Sequence, residues 1–187
     1  GTTGVVDLAG YNTHNLALKD DGTVVAWGGS NQYGEQNVPG WLKDVVDIAA
    51  GSHHSIALRR NGDVVCWGRD NYGQCSPPAG LNNVVAVAAY SMSSLAIKSD
   101  GSVVQWGYSG TTPPSELTNV RRISGSYNHT LALKKDDTVV GWGSNHANIS
   151  TIPTYVTVAL DIRAGHGDHS SVIVPTTNPT QITAPPM

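Results

Sequence analysis

Apolar residues in this 187-residue chain fall in short runs with the period of strands, and no stretch carries a helical period. One run, Val45-Val46-Asp47-Ile48-Ala49-Ala50, is β-branched and rich in small residues, the pattern of a strand covered on both faces. The next, His54-Ser55-Ile56-Ala57-Leu58, sets Ile56 and Leu58 on one face and Ala57 on the other. Asn61-Gly62 then predicts a hairpin, because a tight turn needs positive φ. A third strand follows at Val64-Val65-Cys66-Trp67, and a Gly/Pro loop through Tyr72-Gly73-Gln74 and Pro77-Pro78 closes the unit.

This three-strand pattern repeats. Residues 5–28, 45–68, 84–107 and 120–143 align run for run, and a shorter copy occupies 158–174. The Trp-Gly pairs begin at Trp27, Trp67, Trp106 and Trp142, spaced by 40, 39 and 36 residues. A fixed period of this size means that one unit cannot bury its apolar face alone and must stack on its neighbours. Three antiparallel strands per unit make a blade, and blades set around an axis make a propeller. The expected fold is therefore all-β, a β-propeller of about four and a half three-stranded repeats. Its units run at about 5–40, 45–80, 84–114, 120–153 and, in part, 156–174. Asp21-Gly22 and Asp100-Gly101 supply the same turn as Asn61-Gly62, whereas Asp136-Asp137 in the fourth unit predicts a looser one. With so few units the sequence leaves three arrangements open: a small five-bladed ring, part of a longer chain, or an arc completed by another subunit.

Composition narrows the function classes. Only 13% of residues are charged and the net charge is −3, with no cationic cluster larger than a pair such as Arg59-Arg60 or Arg121-Arg122. Nucleic acid and membrane surfaces are thus disfavoured as partners. No apolar run approaches the roughly 18 residues a membrane span needs. No signal-peptide pattern opens the chain at Gly1–Gly10, as expected of a cytosolic protein, a processed one or a segment of a longer one. Cys66 and Cys75 flank the loop WGRDNYGQ, whose ends could approach closely enough to bridge; two separate thiols are the other reading. Asn128-His-Thr130 and Asn148-Ile-Ser150 fit the glycosylation acceptor pattern, which carries weight only in a secreted eukaryotic protein.

Candidate chemistry is thin. His14, His54, His129 and His169 share one slot, with Ser93 there in the third unit. Equivalent slots ring the axis and do not converge within the ~2 Å of metal ligation, so each His is expected to bond backbone at the start of its strand. The tryptophans are expected to fill the gaps between blades, and the following glycines to let the chain turn away. His166-Gly167-Asp168-His169-Ser170 gathers triad residue types, but neighbours on a strand point to opposite faces. Asp20-Asp21-Gly22 lacks the alternating oxygens of a calcium loop. The expectation is no enzyme, no cofactor and no metal.

The variable positions point elsewhere. Just before the His slot the units read Tyr11-Asn12-Thr13, Gly51-Ser52-His53, Tyr90-Ser91-Met92, Ser126-Tyr127-Asn128 and Gly165 to Asp168. A loop at this place in every unit should reach one rim of the propeller, with Tyr, His and Asn as recognition groups. The candidate partner-binding residues are Tyr11, Asn12, His53, Tyr90, Met92, Tyr127, Asn128, His166 and Asp168, with Tyr11, Tyr90 and Tyr127 as anchors. The second variable loop, with Tyr33-Gly34-Glu35 and Tyr72-Gly73-Gln74, reads mainly as a structural turn. Residues 175–187, rich in Pro and Thr, should form an extended tail. Such a tail favours an extracellular or surface setting over a cytoplasmic one.

The words AAGSHHSIAL, NGDVVCWG and NYGQ resemble the regulator of chromosome condensation repeat over residues 5–174. Within that family, the compact period and three-strand unit look most like β-lactamase inhibitor protein II. The resemblance implies a rigid propeller scaffold for protein recognition, a secreted enzyme inhibitor being one concrete version. A glycan-binding, lectin-like module and a building block of a larger assembly, self-associating through open strand edges, are the alternatives.

Overall fold

The computed structural model describes residues 4–108, 112–127 and 129–143, and the backbone of two further strands at 161–164 and 170–173. Blade 1 is β1 (Val5–Tyr11), β2 (His14–Lys19) and β3 (Val24–Gly28); blade 2 is β4 (Val45–Ala50), β5 (His54–Arg59) and β6 (Val64–Gly68). Blade 3 is β7 (Val84–Tyr90), β8 (Ser93–Lys98) and β9 (Val103–Gly107); blade 4 is β10 (Val120–Gly125), β11 (His129–Lys134) and β12 (Val139–Gly143). Each is an antiparallel sheet in chain order, and β13 (Asp161–Ala164) pairs with β14 (Ser170–Ile173) beside β10 and β11. The predicted all-β partial propeller of about four blades is what forms. The tail at 175–187 lies outside the described residues.

The alternation in the second strand decides where the cores sit. Leu16 and Leu18 of β2 face forward onto Val45, Ile48 and Trp67 of blade 2, while Ala57 of β5 faces back into that same cluster. Ile56 and Leu58 repeat the arrangement toward Val87, Ala96 and Trp106, and Leu95 and Ile97 toward Val120, Ala132 and Trp142. Branched residues on one face and alanine on the other let flat sheets stack closely, so the hydrophobic core lies between blades, not within them.

First strands approach one another around the axis and line an open cavity of about 900 Å³. Each first strand carries a register shift two residues in, at Val5/Asp7, Val45/Asp47, Val84/Ala86 and Val120/Arg122. The bulge turns Asp47 toward the next blade, where its Oδ2 accepts the N–H of Val87 at 2.8 Å.

Only the second residue of each hairpin pair takes positive φ: Gly22, Gly62 and Gly101 at 77°, 89° and 78°. Asp137 does the same at 64°, and Asp136 accepts from Thr138 as Asp21 does from Thr23. The fourth turn is therefore built like the others and not looser, with Arg121 bonded to Asp137 at 2.7 Å.

Candidate functional site: one face of the arc

Two sets of loops share one face. The loop after each third strand hydrogen-bonds the loop between the first two strands, through Gly29 N–H to Thr13 O, Arg69 N–H to His53 O and Tyr108 N–H to Met92 O. The Trp-Gly glycines make this possible. A Cβ at Gly68, whose φ is 102°, would stand 2.6 Å from the carbonyl oxygen of His53.

Beneath the loops lie the seams between blades. Trp67 Nε1 and Ser55 Oγ both donate to the carbonyl of Glu35, at 2.9 and 2.8 Å. One seam on, Trp106 Nε1 and Ser94 Oγ both donate to the carbonyl of Gln74, at 3.0 and 2.8 Å. Each serine has one proton and has placed it on that carbonyl, so it accepts from the histidine of the preceding blade. His14 Nε2 meets Ser55 Oγ at 2.7 Å and His54 Nε2 meets Ser94 Oγ at 3.0 Å. The histidines are thus latches across seams, which corrects the expectation of a bond to backbone at their own strand. Burial, with His14 adding to it, lowers the pKa of His54 to about 4 and keeps the ring neutral.

In the third unit Ser93 occupies the histidine slot and its hydroxyl turns to the carbonyl of Tyr108. The latch passes to Tyr90, whose hydroxyl accepts from Thr130 Oγ1 at 2.7 Å and Gln105 Nε2 at 3.0 Å. Its ring lies over Gly125, where any side chain would collide with it. Tyr90 is only 4% exposed, so it is a core residue and not the rim anchor expected of it. The reason is register. Tyr11 and Tyr90 end their strands, whereas Tyr127 aligns one position later, on the loop, and is 60% exposed. Tyr11 is half-buried: burial raises its pKa, and its hydroxyl lies against the backbone of Ser91. Trp67, Trp106 and Trp142 fill seams as expected, at 8, 7 and 6% exposure, but Trp27 is 45% exposed on the open face of blade 1.

Of the other candidate residues, Asn12 is exposed with φ 34°, and Met92 and His53 are half-buried in the loop. Asn128, His166 and Asp168 lie outside the described residues. The loops are also stitched together: Thr13 Oγ1 donates to Ser52 O at 2.6 Å, and Ser52 N–H to Ser91 O at 2.8 Å.

The second loop, read from sequence as a turn, contributes most of the exposed rings. His53 packs edge-on against Tyr33 at 5.2 Å, Arg69 lies 4.9 Å from the Tyr33 ring and 5.5 Å from that of Tyr72, and Tyr72 meets Tyr108 at 5.2 Å. Tyr72 and Tyr108 are 46% and 58% exposed. The loop is a turn as well: Glu35 Oε2 accepts Tyr33 N–H and Gln74 Oε1 accepts Tyr72 N–H, both at 2.9 Å. Burial alone would raise the Glu35 carboxyl, but the N–H groups of Glu35 and Tyr33 and the neighbouring His53 pull it below the usual range. A disulfide joins Cys66 to Cys75 with Cα atoms 5.0 Å apart, settling the two readings of this pair and tying the loop to β6. The signal missed was the Tyr repeated beside Gly in that loop, at Tyr33 and Tyr72.

Among the described residues no group of three His, Cys, Asp or Glu side chains could hold a metal, and no helix is long and apolar enough to cross a membrane.

Comparison with known proteins agrees with this geometry. Residues 5–35, 45–74 and 120–148 match the model of the regulator of chromosome condensation (RCC1) repeat. The third unit, which departs at Ser93, is not among the matched stretches. No curated protein sequence matches the chain. Among solved structures, Prp20p from Saccharomyces cerevisiae, described with its binding to Gsp1p and histones, is similar at 21% identity, with 76% of this chain and 46% of that one covered and a TM-score of 0.64. The CRINKLY WD40 ectodomain of the Arabidopsis thaliana receptor kinase ACR4 is similar at 20% identity, with coverage of 95% and 64% and a TM-score of 0.71. Human WBSCR16 is similar at 21% identity, with coverage of 93% and 53% and a TM-score of 0.64. The chain spans less than two thirds of the length of each. Three stretches that match the RCC1 repeat, four three-stranded sheets and this shared fold make the described part of the chain a partial β-propeller of about four blades with RCC1-like repeats.

Proposed function

We propose that the chain is a non-catalytic protein-binding module whose contact face is the loop face described above. The observation that carries this reading is the row His53, Tyr33, Arg69, Tyr72 and Tyr108, a contiguous and partly exposed patch held on the blade loops. Tyr and Arg held in place are the residue types that concentrate binding energy at protein interfaces, because little entropy is lost when they are covered. The RCC1-type repeats, and the binding of Prp20p to Gsp1p and histones, support the same class of function. An inhibitor or recognition protein in an extracellular or surface setting, as in β-lactamase inhibitor protein II, is the version we favour. The Cys66–Cys75 disulfide supports an oxidising compartment.

The test is affinity capture with quantitative mass spectrometry, comparing the wild type with two variants. Tyr72→Ser/Tyr108→Ser removes exposed rings, and Asp63→Lys alters the opposite, hairpin face. Partners enriched by the wild type should be lost with the first variant and kept with the second. Equal retention by both variants overturns the choice of face.

A second reading has its own observation. Val5, Leu8, Val25 and Trp27 are exposed on blade 1, whereas their counterparts in blades 2 and 3 are buried or half-buried. Assembly through this face would cover them, and light scattering of the wild type and Trp27→Lys checks it: an oligomer that the substitution dissociates supports it.

A further inference from the structure

Arg69 is a cation without a counter-charge. It follows the Trp67-Gly68 pair, and its guanidinium is held between the rings of Tyr33 and Tyr72. Among the described residues no carboxylate lies within ion-pairing distance of it, and its buried Nε has no hydrogen-bond acceptor. The nearby acidic groups on these loops are engaged. Glu35 accepts from Tyr33 N–H and faces His53 Nδ1 at 3.5 Å, and Asp70 accepts from Cys75 N–H and Ser76 Oγ, both at 2.7 Å. Contact with two rings restrains the guanidinium, so little further entropy is lost on binding, and its terminal N–H groups are left for a planar, two-oxygen acceptor.

We propose that this row binds an acidic peptide segment of the partner, with one Asp or Glu carboxylate on Arg69 and apolar neighbours of that residue against Tyr72 and Tyr108. The proposal rests on the reading of this face as the protein-contact face. A single cation in the row matches one negative charge, not a polyanion, and the chain's net charge of −3 gives phosphate-rich ligands no wider attraction. A peptide also fits better than a uronic sugar. Sugars stack on ring faces, and Tyr33 and Tyr72 each give one face to Arg69, which reduces the platform left for a sugar.

The experiment is selection of random twelve-residue displayed peptides on the 187-residue chain, followed by fluorescence anisotropy with the selected sequences as synthetic peptides. Selected peptides should share an Asp or Glu beside an aromatic or aliphatic residue. Arg69→Gln should weaken them about 10- to 100-fold, the usual range for losing a hydrogen-bonded charge, and Arg69→Lys should weaken them less. Changing the peptide's acidic residue to its amide should have the same effect, with no further loss when both are changed. Thermal melting of the variants should match the wild type, since Arg69 fills no seam. Peptides without an acidic residue, additive losses, no selection at all, or binding confined to uronate oligosaccharides would each overturn the proposal. Peptides that ignore Arg69 but are lost with Tyr72→Ser/Tyr108→Ser leave the contact face standing and remove only the acidic partner. Peptides that ignore all three positions remove the face as well.

Discussion

The seam between blades 2 and 3 and the seam between blades 3 and 4 do the same work with different residues. In the first, His54 of one blade reaches Ser94 of the next. In the second, Ser93 has replaced the histidine, and Tyr90, three residues earlier on the neighbouring strand, reaches Thr130 instead. Both latches put a polar atom of one blade onto a hydroxyl 40 residues further along the chain. What the repeat keeps constant is the place of the hydrogen bond, not the residue that makes it. A buried hydroxyl without a partner costs more than either substitution, so a loss in one slot is made good from an adjacent one.

The largest effect expected from breaking this comparison is at Tyr90. Tyr90→Ala removes a buried ring and the acceptor of two hydrogen bonds, and should cost about 3–5 kcal/mol in urea denaturation. Tyr90→Phe, which keeps the ring, should cost about 1–3 kcal/mol. An effect as small as that of an exposed tyrosine would mean that the third seam is not latched in this way.

Acid should separate the two seams. His54 sits at about 4 in the folded chain against 6.5 in the unfolded one. The unfolded state therefore takes up the proton first, and about 3 kcal/mol is lost as pH falls from 7 to 4. Asp47, which spans the same seam, is shifted the other way. Burial, opposed by the Val87 N–H, raises its carboxyl to about 6 from 3.8. Folding then takes up a proton below pH 6, and about 2.5 kcal/mol is gained by pH 4. The two nearly cancel in the wild type. Asp47→Asn removes the gain, so its stability should fall by about 2.5 kcal/mol more than the wild type's between pH 7 and 4. Parallel denaturation curves across that range would remove Asp47 from the account. At the Tyr90 latch burial moves the phenol further above its ordinary value of 10.0, outside that range.

Next in size is the disulfide. Cys66→Ser/Cys75→Ser frees a short loop and should cost about 2–3 kcal/mol on the chain-entropy argument. Because Gln74 in that loop accepts from Trp106 and Ser94, the loss should be felt at the second seam, with faster amide exchange in β8 than in β11 as the readout. The smallest effect belongs to the loop face: Tyr127→Ser should change stability by less than about 0.5 kcal/mol. A larger loss would show that the ring is held by the fold.

Much of the fold was legible before any coordinates. The forward Leu16 and Leu18, the backward Ala57, the Trp-Gly turns and the hairpin pairs follow from strand period and backbone sterics, which act over a few residues and repeat in register. Trp27 shows the limit, since the same word that is buried in three blades is exposed in blade 1, where no described blade packs over it.

The loop face was legible only in part. Its position followed from the repeat, and Tyr127 was found on it. Tyr90 was misplaced because one residue of offset at a strand end turns a side chain from solvent to core, and composition cannot register that offset. The row through Arg69 was missed because it joins residues from three units, and the distances between rings exist only after the blades stack. Local period thus determined the strands, the blades and their packing faces. The tertiary structure alone decided which residue latches each seam and which cation is left without a counter-charge, because both depend on contacts about 40 residues apart, made across a seam whose other side the local pattern does not contain.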